Sequence, residues 1–210
     1  MQWILGKLYN WVFVHFRRRR MRRFFNLLAP DLQTWVLDVG GTSQTWTQET
    51  YNQAFFPVTL FNIRDYGQTD NYRFTHMIGD ATQMPFADDT FDIAFSNSVI
   101  EHVTTWDKQL AFAQEMRRVA RCLWVQTPAR SFPIEAHLWA PFIQHLPRRL
   151  QHRIAPWTLR GILQPDVVHE IVDEVRLLTR REMQELFPDC LILQERVLGL
   201  TKSYIAIRGQ

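Results

Sequence analysis

The sequence predicts an α/β fold: a doubly wound, mostly parallel seven-stranded sheet with a C-terminal antiparallel hairpin. Three observations carry that reading. Short apolar runs alternate with helical patterns, which implies parallel pairing with crossover helices. A glycine pair follows the first apolar run, as a strand-to-helix turn requires. Two strand patterns lie close together at the C-terminus, joined by a short connection around Gly199.

The elements follow in order. Residues 2–28 read as a helix ended by Pro30. Residues 34–41, an apolar run ending in glycines, read as a buried strand entering a tight turn. Further strands are expected at 57–62, 74–79 and 91–96. Residues 107–121 carry Leu110, Ala113, Met116, Arg117 and Ala120 at helical spacing and form a crossover helix; 122–127 is a fifth strand stopped by Pro128. From Pro128 to Leu178 six prolines interrupt short amphipathic pieces, so a cluster of short helices should lie over one edge of the sheet. Thr179 and Glu182 have the spacing of a capping box. Strands at 191–193 and 203–208 close the chain. The domain organisation is an N-terminal basic amphipathic helix over 1–29 and a single domain over 30–210 with 128–178 as a helical lid insert.

With 210 residues, 46% of them hydrophobic, the chain needs neither disulfides nor metal to hold a core. Cys122 and Cys190 fall in apolar strand-like runs, which points to reduced, buried thiols and a cytoplasmic chain. The stretch from Trp3 to Phe16 has its basic block after the apolar residues, the reverse of a signal peptide, and is shorter than the ~20 residues of a spanning helix. The net charge of +3 is local in origin: without Arg17, Arg18, Arg19, Arg20, Arg22 and Arg23 it becomes −3, which argues against nucleic acid as a partner.

Two readings of the first helix stay open. Ile4, Leu5, Leu8, Val12 and Phe16, then Met21, Phe24, Leu27 and Leu28, form a stripe, with Trp3, Tyr9 and Trp11 as amphipathic rings. Either the helix lies on an anionic membrane surface, making the protein peripheral there, or the stripe packs on the sheet with the arginines as its solvated face.

The chemistry concentrates at residues 36–42, Val-Leu-Asp-Val-Gly-Gly-Thr, where glycine lets a ligand approach the backbone at the end of a central strand. With residues 60–62 (Leu-Phe-Asn), 79–86 (Gly-Asp-Ala-Thr-Gln-Met-Pro-Phe) and 91–103, this sequence resembles the class I S-adenosylmethionine-dependent methyltransferases, in the small-molecule group with a Gly-Gly-Thr variant of the first motif. The family's second and third glycines are Thr42 and Gln44 here. The resemblance implies a Rossmann-like methyltransferase fold and S-adenosyl-L-methionine as cofactor, held by Asp38, Gly40, Gly41, Thr42, Asn62, Asp80, Ala81 and Ser96. Asn62 stands where an acid would take the ribose hydroxyls, so Asn62→Asp is expected to tighten binding. Met84 or Phe86 is expected to flank the adenine. Asp92 reads as a loop-pairing residue.

The implied activity is in-line methyl transfer to a small-molecule or lipid-like acceptor. Glu101, His102 and His137 are the candidate catalytic groups, with Glu135 beside them, because they stand where the acceptor must sit and can accept its proton. Glu and His spread over two segments are a weak metal signal, so no metal is assigned. The lid is expected to form an aromatic pocket from Trp139, Phe142, Ile143, Leu146 and Trp157, rimmed by Arg148, Arg149, Arg153 and Arg160, suited to an apolar acceptor with an anionic group. The alternative is a non-catalytic methyltransferase-like binding module at a membrane surface.

Overall fold

The computed structural model describes residues 2–47, 56–67 and 73–209; for residues 2–14 and 47 it describes the helical backbone only. Nine strands are described: β1 (Val36–Val39), β2 (Val58–Asn62), β3 (Phe74–Ile78), β4 (Phe91–Asn97), β5 (Ala120–Pro128), β6 (Ile134–Glu135), β7 (Ala140–Pro141), β8 (Leu191–Val197) and β9 (Leu200–Arg208). Seven form one sheet in the order β3-β2-β1-β4-β5-β9-β8. The first five are parallel, while β9 runs antiparallel to both β5 and β8. Strand order reverses between β1 and β4, and the crevice beyond their C-terminal ends is where an open α/β sheet receives its ligand.

Local chemistry explains the boundaries. Helix α3 (Trp106–Val119) begins where Thr105 accepts the Lys108 N–H, and it buries Phe112, Ala113, Met116 and Val119 at intervals of one helical face. It ends two residues earlier than the periodicity predicts, because Ala120 already pairs with Phe91 as the start of β5. The capping box forms at α7 (Arg180–Leu186), with Thr179 and Glu182 each satisfying the other's backbone N–H. The hairpin between β8 and β9 turns on Leu198 and Gly199, both at positive φ (49° and 83°), the geometry that two-residue hairpins use. Cys122 lies in β5, whereas Cys190 sits in the bend before β8; both are free and buried.

Two apolar layers sandwich the sheet. One joins Leu37, Val39, Ala94 and Val125 to α3 and α7; the other joins Val36, Phe95, Trp124 and Ile205 to α1 (Gln2–Leu28) and the short α2 (Gln44–Thr47). In the second layer the Phe24 ring meets Trp46, Phe95 and Trp124 edge-on at centroid distances of 5.8, 5.2 and 5.7 Å. Met21 is buried beside it. This part of the stripe therefore packs into the protein, and Leu27 stays exposed. The stripe and rings from Trp3 to Val12 lie outside the described side chains. Among the described residues no helix is long and apolar enough to cross a membrane.

Between β5 and α7 the chain forms the two-stranded ribbon β6–β7 and the helices α4 (Arg148–Ile154), α5 (Leu159–Leu163) and α6 (Val168–Glu174). These have a core of their own, built from Leu138, Ala140, Ile143, Ala155, Val168 and Val172. The ribbon has no counterpart in the sequence reading, because two-residue strands leave no period to detect.

Arg20 departs from the solvated face expected for the arginine block. It is 6% exposed and spans 175 positions to pair with Glu195, its Nη2 2.8 Å from Oε2. Its Nη1 donates to Gln126 Oε1 at 2.6 Å and to Asn97 Oδ1. Ser203 Oγ also donates to Glu195. Replacing Arg20 by Met would leave a buried carboxylate without its counter-charge, a cost of about 3 kcal/mol. Urea unfolding of Arg20→Met should show that loss, and the double variant Arg20→Met/Glu195→Gln should recover at least half of it.

Candidate active site

The glycine turn is built over a buried carboxylate. Asp38, near the end of β1, is fully buried; its Oδ2 accepts the Trp46 indole N–H at 2.7 Å, and among the described residues its Oδ1 has no hydrogen-bond partner. Burial pushes its pKa up to about 7, against the opposing effects of the Trp46 bond and the Arg17 charge. Gly40 adopts φ +78° while its N–H donates to the Phe61 carbonyl at 2.9 Å; a Cβ there would lie 2.4 Å from Val99 Cγ2. At Gly41 a Cβ would lie 1.9 Å from Asp38 Oδ2, so the turn passes directly over the carboxylate only because it lacks side chains. The Thr42 carbonyl accepts the Thr45 N–H at 2.9 Å as α2 begins.

Around this turn the other predicted positions take distinct places. Asn62, at the end of β2, donates its amide to the Gly41 carbonyl at 2.9 Å, leaving its own carbonyl available to a ligand hydroxyl. Asp80 is exposed; its Oδ1 accepts from Thr82 N and Oγ1 at 2.8 and 2.7 Å, and these bonds hold its carboxyl below the usual range. Ala81 is half-buried against the core. Met84 is buried, and Phe86 meets Phe61 and Phe91 edge-on, so both belong to the core layer. Arg118 clamps this loop by donating to the carbonyls of Phe86 and Met84, at 2.6 and 3.1 Å. Ser96 is fully buried, and its hydroxyl donates to the Val39 carbonyl at 3.1 Å, tying β4 to β1. Asp92 accepts the Trp35 N–H at 2.8 Å, the loop pairing expected of it.

A second cluster stands just past β4. Glu101 and His102 lie in the 3-10 turn Ile100–His102, and His137 follows β6. The candidate ligand atoms of all three lie within 4.8 Å of one another. Glu101 is fully buried; Thr127 Oγ1 donates to its Oε2 at 2.9 Å, while Oε1 has no hydrogen-bond partner among the described residues and lies 4.0 Å from His137 Nε2. Burial raises the Glu101 carboxyl, opposed by His137. Glu135 holds the other side of His137, with Oε1 2.7 Å from Nδ1 and Oε2 accepting the His137 N–H at 2.9 Å. Burial by itself lowers the His137 imidazole, but the Glu135 hydrogen bond and the two carboxylate charges outweigh it and leave the pKa raised. The His102 ring meets His137 at right angles, 4.9 Å between centroids. His102 is exposed as a residue, but its ring packs on His137, and desolvation on that side, then the His137 charge, pushes it down to about 4.

Comparison with known proteins places this architecture. Residues 37–122 match the family model of the methyltransferase domain. Over those residues, which carry the glycine turn, the chain is similar to a methyltransferase domain. A search of curated protein sequences found no match. Solved structures similar in fold include an S-adenosylmethionine-dependent methyltransferase from Methanosarcina mazei, 14% identical with a TM-score of 0.54, covering 85% of this chain and 92% of that one. The PH0226 protein of Pyrococcus horikoshii is 17% identical with a TM-score of 0.56, covering 89% and 85%. A methyltransferase from Aquifex aeolicus is 12% identical with a TM-score of 0.50, covering 90% and 87%.

The turn fits a cofactor of the S-adenosylmethionine type. An unpartnered carboxylate oxygen under a side-chain-free turn suits an ammonium group, and the free Asn62 carbonyl suits a ribose hydroxyl. Ser96, by contrast, spends its hydroxyl within the sheet.

Beyond the ends of β4 and β5 lies a cavity of about 540 Å³, lined by α1, those strand ends, β9 and the lid. Its apolar wall includes Phe16, Phe132, Ile134 and Trp139, and its cations are Arg17, Arg20 and Lys202. The lid residues named for this role divide differently from expectation. Only Trp139 lines the cavity; Ile143 is lid core, Leu146 and Arg148 line a smaller cavity of about 340 Å³, and Phe142 and Trp157 are exposed. Arg160 stacks on Trp139 at 5.8 Å, and Arg149 and Arg153 are exposed. The lid encloses a hydrophobic centre of its own, and of the residues named for the pocket only Ile143 belongs to it. Asn97, Ser98, Gln126 and Lys202 also line the larger cavity and escaped the sequence reading. The one available signal was a polar side chain, Gln126, in the middle of a strand buried on both faces.

Two outcomes are expected at the turn. An acid whose folded pKa exceeds its unfolded value keeps its proton in the folded protein between the two, so without cofactor the stability should fall as pH rises from 3.8 to about 7. Asp38→Asn keeps an acceptor for Trp46 and should abolish this decline in pH-dependent denaturation, while weakening S-adenosylmethionine binding roughly tenfold by calorimetry. Contrary to the sequence expectation, Asn62→Asp should lower that affinity by about tenfold, because a carboxylate cannot donate to Gly41 O and would repel it.

Proposed function

We propose that the enzyme methylates a mostly apolar small-molecule or lipid-like acceptor bearing an anionic group. The observation that carries this reading is the 540 Å³ cavity, apolar over most of its wall and cationic at Arg17, Arg20 and Lys202. Of these, Arg20 is committed to Glu195, and Lys202 stands 4.4 Å over the Phe16 ring. Burial, then the Arg20 charge, pushes Lys202 down to about 8, so its cation persists at neutral pH and weakens above that. An anion brought into this wall meets a desolvated charge, which strengthens the attraction.

Asp38, Gly40, Gly41, Thr42 and Asn62 hold the cofactor's amino-acid and ribose end, with the loop at Asp80 and Ala81 at its base end. When bound, the cofactor supplies a sulfonium methyl group for in-line displacement by the acceptor. The chain's own contribution is positioning and removal of the acceptor's proton. His102, neutral at pH 7, accepts that proton. His137 packs against its ring and is oriented in turn by Glu135 and Glu101.

The acceptor reading is tested with dodecanoate and dodecanol as probes, following the fluorescence of Trp139 and its neighbours in the protein saturated with S-adenosylmethionine. Dodecanoate should bind more tightly than dodecanol, and Lys202→Met should weaken dodecanoate about tenfold while leaving dodecanol unchanged. Equal binding of the two probes to the unsubstituted enzyme would refute an anionic acceptor.

A further inference from the structure

We infer that Glu101, His102 and His137 form a binding site for one divalent transition-metal ion of the zinc class. Three observations carry this beyond the sequence reading, which assigned no metal. The ligand atoms of these side chains, one carboxylate oxygen and two imidazole nitrogens, all lie within 4.8 Å of one another. Glu101 is fully buried, and its Oε1 has no hydrogen-bond partner among the described residues. The gap of 4.0 Å from that oxygen to His137 Nε2 is too long for a hydrogen bond. Ligands around a tetrahedral ion with bonds of ~2.05 Å stand about 3.4 Å apart, so a contraction of about an ångström converts the cluster into a coordination shell.

The surroundings are those of an oriented ligand set. Glu135 holds His137 through Nδ1 at 2.7 Å, which makes that nitrogen the donor, so an ion that displaces the Nε2 proton meets a lone pair on the Glu101 side of the ring. A carboxylate behind the distal nitrogen of a metal-binding histidine is the usual outer partner of such sites. Glu135 is itself pinned by the backbone N–H groups of His137 and Leu138. Thr127 does the same for Glu101, taking Oε2 at 2.9 Å and leaving Oε1 for the ion. The net charge also closes: two buried carboxylates balance a dication.

Two imidazoles and one carboxylate favour zinc, cobalt, manganese or iron over magnesium and calcium, which prefer all-oxygen shells. Three protein ligands leave a position open. An acceptor hydroxyl occupying it would become more acidic and release its proton to water, in place of proton removal by His102. The ion site rests on the side chains alone; only this role rests on the acceptor reading above.

The experiment uses the full chain, stripped with chelator and titrated with Co²⁺, followed by visible absorption and by calorimetry, with displacement by Zn²⁺. One ion per chain is expected, with d–d bands and no thiolate charge-transfer band. His102→Ala and His137→Ala should each weaken Co²⁺ at least a hundredfold, and Glu135→Gln about tenfold or more. His169→Asn, at the separate exposed pair with His152, should change nothing. His102 is exposed, so its variant should keep the fold, checked by circular dichroism and by S-adenosylmethionine affinity. The inference is overturned if the unsubstituted protein binds cofactor but no Co²⁺, if binding survives in both histidine variants, if it is lost in His169→Asn, or if a thiolate band shows Cys122 or Cys190 as the ligand. Cofactor calorimetry on the same samples reports separately on the methyltransferase assignment.

Discussion

A buried guanidinium must be paired on every side, and the rest of this molecule is arranged around that requirement at Arg20. Glu195 supplies the counter-charge, and Asn97 and Gln126 supply further acceptors. Those three residues sit on β8, β4 and β5, so one side chain of the first helix ties together three strands, the farthest reached 175 positions along the chain. With Met21 and Phe24 one and four positions on, the helix has its apolar and polar anchors on one face. Its position in turn builds the cavity wall, since Phe16, Arg17 and Arg20 all line it. The cost of unpairing a buried ion makes this arrangement specific.

The same logic appears twice more at the C-terminal edge of the sheet. Asp38 is desolvated beneath a turn whose two glycines bring no side chains against it, and one of its oxygens has no hydrogen-bond partner among the described residues. Glu101 is desolvated beyond β4, with one oxygen satisfied by Thr127 and the other unpaired. Both carboxylates are raised by burial, and both stand at strand ends where backbone hydrogen bonding stops and ligands can enter. The lid completes the second centre, because the ribbon carrying Glu135 delivers His137 to the turn carrying Glu101 and His102.

Much of this was legible in the chain. Period and glycine placement are local properties, so the strands, α3, the hairpin at Gly199 and the capping box at Thr179 could be read in order, and so could the loop pairing of Asp92. Asp38, Gly40, Gly41 and Asn62 are legible as neighbours at one turn because their spacing is set by a single strand-turn unit and its neighbour. Errors arose where a residue's surroundings come from distant segments. Arg20 reads as one of six similar arginines, and nothing within ten residues of it reveals Glu195. The aromatic and basic residues of the lid look like a pocket by composition, yet most fill the lid's own core, line a smaller cavity or face solvent.

The sequence by itself determined the fold class, the order of the elements, the glycine turn and the identity of the candidate groups Glu101, His102 and His137, because periodicity, backbone freedom and side-chain chemistry belong to each residue and its near neighbours. The tertiary structure decided which way Asn62 spends its amide, which cations line the cavity, and that two histidines and a buried carboxylate meet within reach of one ion. Those outcomes depend on burial and on partners far apart in the chain, and the free energy of a polar group is set by what surrounds it once water is removed.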